Sequence, residues 1–266
     1  MRRLIAFPCA GETLVGTLDL AEGPEGLLIV SGGNEVRMGA HRGMALLAGR
    51  VAAELGVSVF RFDRRGIGDS SGENRGFDSS RDDIAAAVRA FRDAVPGLQR
   101  LTGLGNCDAA SALALFHEHT GFDALILANP WTIEAVDDLP PAAAIRARYA
   151  AKLRDPREWL RLVRGGVDIR KLARGLAKAS ATPAPAAPAR LAARLAGALD
   201  ASPVPVTILL AAGDNTAIAF RDEWKAPMFD RVRTRAALHG RDTDSHSFAR
   251  EGDKQWLFER VREALG

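Results

Sequence analysis

The feature of this sequence that most constrains its fold is a series of short, nearly continuous apolar runs, each ending in glycine, aspartate, serine, asparagine or proline. "GLLIVS", "VSVFRFD", "RLTGLG", "DALILANP" and "PVTILLAAGD" all have this form. They predict strands buried on both faces. Helical patterns lie between them. Residues 41–55 carry Met44, Leu47, Val51 and Leu55 at helical spacing, with Gly56 as the expected stop. Residues 79–94 carry Ile84, Val88 and Phe91 on one face, with Ser80 as the expected N-cap. Strand and helix alternate, which predicts a mostly parallel sheet covered by helices on both sides.

Three segments frame this alternation. "RRLIAFPC" and "ETLVGTLDL" read as an N-terminal hairpin. "VRTRAALHG" reads as a late strand, and "DKQWLFERVREALG" closes the chain as an amphipathic helix. The pattern fails across residues 131–202, which are rich in Ala and Arg and include a Pro/Ala run at 180–188. This segment is expected to form a helical cap with an extended connector, inserted between a core of residues 1–130 and 203–266.

Composition excludes several classes. A chain of 266 residues that is 47% hydrophobic and 26% charged can bury a full core. No apolar run approaches the ~18 to 20 residues that a bilayer requires, so a cytoplasmic protein is expected. Only Cys9 and Cys107 are present, too few for a disulfide framework. A net charge of +3, with no basic run interleaved with aromatics, argues against a nucleic-acid partner.

Chemistry centres on "GLGNCDAAS". Cys107 follows an apolar strand and opens a helix, with Gly105 two positions before it and Ala109 two positions after. A nucleophile elbow needs small residues at both places, because the strand-to-helix turn is tight. A helix N-terminus also favours thiolate over thiol. The alternative is a small cysteine packed at a helix start.

A nucleophile needs an acid, a base and oxyanion donors, and the order of strands says where to look. Asp214 ends the strand after the cap. His246 lies in the loop before the last helix, with His239 as the competing candidate. The Asp108 amide and the Gly33 amide of "VSGGNEVRMGAHRG" are the expected oxyanion donors, with Asn34 as the alternative to Gly33. Arg37, His41 and Arg42 follow that loop and could bind an anionic substrate group, or simply form a solvated helix start. Asp63 and Arg65, in "RFDRRGIGDSSGE", read as mainly structural, and His117 and His119 as surface or packing residues.

At this point the chain resembles the α/β-hydrolases, and more narrowly the exosortase A system-associated hydrolases of bacteria. The resemblance is carried by "GGNEVRMGAHRG", "FRFDRRGIGDSSGENRGF", "GLGNCDAAS", "LANPW", "GDNTAIAF" and "DSHSF". It implies an α/β-hydrolase fold with a helical lid and a cysteine at the elbow, encoded alongside exopolysaccharide and protein-sorting systems. It also implies triad roles for Cys107, Asp214 and His246, and includes Arg37, His41 and Arg42 in the family pattern; with Asn34 and Trp131 these are the expected substrate-binding residues. One departure is visible. Many α/β-hydrolases place the acid three residues after the strand-end glycine, where this chain has Thr216. The expected activity is cleavage of a small-molecule ester or thioester through an acyl-cysteine, without metal or cofactor. Acyl transfer, peptidase activity and a catalytically silent binding protein are the alternatives.

Overall fold

The computed structural model describes residues 1–133 and 190–266. Eight strands form one sheet: β1 (Arg2–Cys9), β2 (Glu12–Asp19), β3 (Glu25–Val30), β4 (Ser58–Phe62), β5 (Arg100–Asn106), β6 (Ala124–Ala128), β7 (Val206–Ala211) and β8 (Ala237–Arg241). Their order is β1-β2-β4-β3-β5-β6-β7-β8. β1, β2 and β4 pair antiparallel and the remaining neighbours pair parallel. Pro8 sits on β1, the outermost strand, where a missing N–H is tolerated.

The continuous apolar runs become the central parallel strands, since β4 and β6 are buried along their whole length. α1 (Gly43–Leu55) and the C-terminal helix α7 (Glu251–Leu265) cover one face. They bury Leu47, Val51, Leu257, Phe258 and Val261 there. The other face takes α2 (Ser80–Ala94), α3 (Asp108–Phe116), α4 (Leu191–Ala201) and α5 (Asn215–Trp224). Ile84, Phe91, Leu113, Leu195 and Phe220 form its core.

Chain order changes direction at β3. The chain passes from β3 to β4 on one side, then returns to β5 on the other. The carboxyl ends of β3 and β5 therefore lie side by side where the strand order reverses, the place where sites form in sheets of this kind.

Some local expectations need correction. Ser79, not Ser80, holds the N-cap position of α2, and the Ser80 hydroxyl instead accepts from Arg64 Nη1 at 2.9 Å. Residues 232–233 belong to a short helix, α6 (Asp230–Arg233), and β8 begins only at Ala237. α4 lies within the segment read as cap. Its buried Leu191, Leu195 and Leu199 nevertheless join the main core, because amphipathic spacing is the same for a cap helix and a crossover helix. The amphipathic stretches "AAAIRARYAAKLRD" and "PREWLRLVRGG", from which a helical cap is expected, and the connector at 180–188 lie outside the described residues. Among the described residues no helix is long and apolar enough to cross a membrane.

Candidate active site

Cys107 stands between β5 and α3, where the strand order reverses. The tightness of this turn explains Gly105: a Cβ there would lie 2.7 Å from the Ala109 carbonyl carbon and the Ala110 nitrogen. Cys107 itself has φ 62 and ψ −128, a sparsely populated conformation for a residue with a side chain. Backbone bonds hold it there. Its N–H donates to the Ala128 carbonyl at 3.0 Å, and its carbonyl accepts from Ala110 at 3.1 Å and Trp131 at 3.2 Å. Cys107 is half-buried, whereas Cys9 is buried and donates to Asp83 Oδ1 at 3.4 Å. Burial, and then the Asp83 carboxylate, push the Cys9 thiol up to about 11.

Asp214 is the N-cap of α5. Its Oδ2 accepts from the Thr216 amide at 3.0 Å and the Ala217 amide at 3.1 Å, which fixes the carboxylate. The same oxygen meets His246 Nδ1 at 3.0 Å. Asp214 thus reaches the imidazole from its own position, although Thr216 stands where many relatives carry the acid. The hydrogen bond to Asp214 and a second one to the Cys107 side chain outweigh burial, and push His246 up to about 10. With Nδ1 committed to Asp214, Nε2 is the nitrogen left for the thiol. Burial opposes ionisation of Asp214. The His246 hydrogen bond and the two amides nevertheless hold its carboxyl below the ordinary range.

The loop after β3 presses against the elbow. A Cβ on Gly32 would lie 2.5 Å from the Asn106 carbonyl oxygen and 3.3 Å from Cys107 Cβ, so glycine is required for this approach. The Gly33 amide next to it is occupied: it donates to Asp108 Oδ1 at 2.6 Å. The buried Arg64 secures the pair, donating to the Gly33 carbonyl and lying 3.5 Å from Asp108 Oδ2. The Asp108 amide, at the start of α3, has no partner among the described residues.

The anion-binding candidates divide. Arg37 is committed to structure: it donates to Thr17 Oγ1 at 3.0 Å and to Asp63, and pairs with Asp69 at 2.9 Å. His41 and Arg42 are exposed just before α1, both with positive φ. Asn34 is exposed and accepts from Asn74 Nδ2 at 2.8 Å. Trp131 braces the elbow through its backbone, since its carbonyl also accepts from Ser111 Oγ at 2.7 Å. Asp63 and Arg65 are tied into ion pairs, with Arg37 and Asp83 respectively. His239 lies on β8, opposite Leu209 of β7. His117 is buried, with Nδ1 on the Ala114 carbonyl.

Two residues that touch this region escaped the reading of the sequence: Arg64, on the Gly33 carbonyl, and Asn129, whose Nδ2 donates to the His246 carbonyl at 2.9 Å. Arg64 is hidden in an Arg-rich turn, and Asn129 reads as turn punctuation in "LANPW". A strand-end asparagine followed by proline was the available signal, and it has a simpler explanation as a turn.

A family model described as "Alpha/beta hydrolase family" matches residues 27–258. The chain belongs to the alpha/beta hydrolase family. Among solved structures, this family member is similar to an esterase of Pyrococcus furiosus at a TM-score of 0.65 and 16% identity, covering 100% of this chain and 94% of that one. It is also similar to a hydrolase of Pseudomonas aeruginosa at a TM-score of 0.57 and 22% identity, covering 99% and 98%. A thioesterase domain from the curacin biosynthetic pathway gives a TM-score of 0.58 at 12% identity, covering 98% and 99%. These likenesses are of fold. No curated protein sequence matches the chain.

Proposed function

We propose that this alpha/beta hydrolase cleaves a small-molecule ester or thioester through an acyl-cysteine intermediate on Cys107. The observation that carries the reading is the 3.0 Å contact of His246 Nδ1 with Asp214, on an imidazole that the Cys107 side chain also pushes up. Asp214 fixes the ring, and His246, pushed up to about 10, already holds the Cys107 proton as an imidazolium near neutral pH while the sulfur bonds to the acyl carbon and the carbonyl π bond opens to an oxyanion. His246 returns that proton to the departing alcohol or thiol as its bond breaks. Water then attacks the acyl-cysteine, with His246 as base, and the Cys107 sulfur leaves.

The Asp108 amide receives the oxyanion. The Gly33 amide joins it once the Asp108 carboxylate has turned away. No step in this cycle calls for a cofactor. Esters and thioesters suit the site better than amides, because a thiolate leaves a tetrahedral intermediate more readily than an unprotonated amine does. The esterase and thioesterase folds among similar structures support the same class. Two free thiols fit a reducing, cytoplasmic setting. The retained "GLGNCDAAS", "LANPW" and "DSHSF" segments support a place beside bacterial exopolysaccharide and exosortase systems.

Iodoacetamide labelling near neutral pH, followed by peptide mass mapping, tests the nucleophile. Cys107 labels well before Cys9, and His246→Ala slows its labelling while His239→Ala does not. Equal rates for the two thiols would contradict the proposal.

A further inference from the structure

Asn129 occupies the point where the ends of three strands meet the histidine loop. It follows β6, is completely buried and has φ 42. Its side chain makes three hydrogen bonds. Oδ1 accepts from the Ala211 amide at 2.8 Å, at the end of β7. Nδ2 donates to the Asn106 Oδ1 at 3.1 Å, at the end of β5, and to the His246 carbonyl at 2.9 Å.

The orientation of this amide is dictated by chemistry, since a backbone N–H can only donate and a carbonyl can only accept. Asparagine also tolerates positive φ better than most residues do. Each bond reaches a different part of the reacting set. Asn106 immediately precedes Cys107. Ala211 accepts the Asp214 N–H at 3.0 Å, which begins the turn that carries the acid. His246 is the base itself. A buried group with all its polar atoms satisfied has one geometry, so its three partners are held in mutual register.

We infer that Asn129 is the positioning residue of this site, setting the backbone of His246 against the Cys107 elbow and the Asp214 turn. The inference rests on the reading of Cys107, Asp214 and His246 as the reacting set. It predicts which replacements fail. Asn129→Gly keeps the backbone freedom but leaves the three partners unsatisfied. Asn129→Asp keeps the acceptor for Ala211 but turns an oxygen toward the His246 carbonyl.

The test measures acylation of Cys107 by p-nitrophenyl acetate in wild type, Asn129→Gly and Asn129→Asp. Both variants are expected to acylate on the order of 10²-fold more slowly at saturating ester, with KM little changed, as displacement of a reacting group does. Their His246 titration midpoint, followed by NMR, falls from about 10 toward the ordinary 6.5. A wild-type rate and an unchanged midpoint, with only the melting temperature lowered, would overturn the inference and reduce Asn129 to a structural asparagine.

The NMR titration separates this failure from failure of the proposed function. If wild type does not acylate Cys107 but the midpoint moves in the variants, positioning of His246 stands and the proposed chemistry falls. Should neither variant fold, wild-type hydrogen exchange and Asn106→Ala decide. Asn129 side-chain amide protons exchanging as slowly as the core β amides, together with a His246 midpoint that falls when Asn106→Ala removes one partner of the same amide, support the inference. Exchange at the rate of an exposed asparagine, or an unmoved midpoint, overturns it.

Discussion

The Asp108 carboxylate accepts the Gly33 amide at 2.6 Å, so the residue after Cys107 occupies one of the two donors expected to stabilise an oxyanion. A substrate carbonyl has to displace this carboxylate to use Gly33. Asp108→Ala removes the competitor while retaining the Asp108-position amide. A peptide-like or small aldehyde, which forms a hemithioacetal on Cys107, is expected to inhibit Asp108→Ala about 10-fold more strongly than wild type, the worth of one hydrogen bond to a charged oxygen. Weaker inhibition would show that the carboxylate holds Gly33 in its working position.

Asp214 does two separable things, capping α5 and orienting His246. Serine can cap a helix but supplies no carboxylate for the imidazole. Asp214→Ser is therefore expected to retain the ~1 kcal/mol that cap removal costs in Asp214→Ala, while both variants lose the pairing with His246. Both variants lose acylation rate on the order of 10²- to 10⁴-fold. Thermal melts and single-turnover rates on the two variants separate the roles.

The His246–Asp214 pair also makes stability depend on pH. His246 is raised from 6.5 to about 10, so its contribution is complete below 6.5 and is lost as pH rises through about 10. Asp214 is lowered from 3.8, so its contribution is complete above 3.8 and is lost as pH falls through the folded value. The melting-temperature difference between wild type and His246→Gln should thus be largest between 3.8 and 6.5, and should fade above about 10. Cys107→Ala removes the second contribution to His246, and its midpoint should drop in an NMR titration.

Particular residues show what the sequence could and could not reveal. The central strands were legible because β4 and β6 are buried on both faces, which leaves an apolar run with no polar alternation. The proposed set of Cys107, Asp214 and His246 could be sought in the sequence because each follows a strand or precedes a helix at a place the chain order dictates. Arg37 was not: a guanidinium after a glycine loop reads as an anion site, and only the fold brings Thr17, Asp63 and Asp69 to it. Asp108 was half legible, since its amide follows from the elbow while the capture of Gly33 by its carboxylate depends on a loop 75 positions away. Asn129 was legible only as turn punctuation for the same reason, as its partners come from β5, β7 and the histidine loop.

The central claim is a covalent acyl group on Cys107, and intact-mass spectrometry during turnover of p-nitrophenyl acetate tests it most directly. The account predicts one acetyl adduct, mapped to Cys107, that accumulates in wild type, decays as water deacylates it and is absent from Cys107→Ala together with the activity. Hydrolysis by Cys107→Ala at the wild-type rate, or an adduct mapped to another residue, would contradict it.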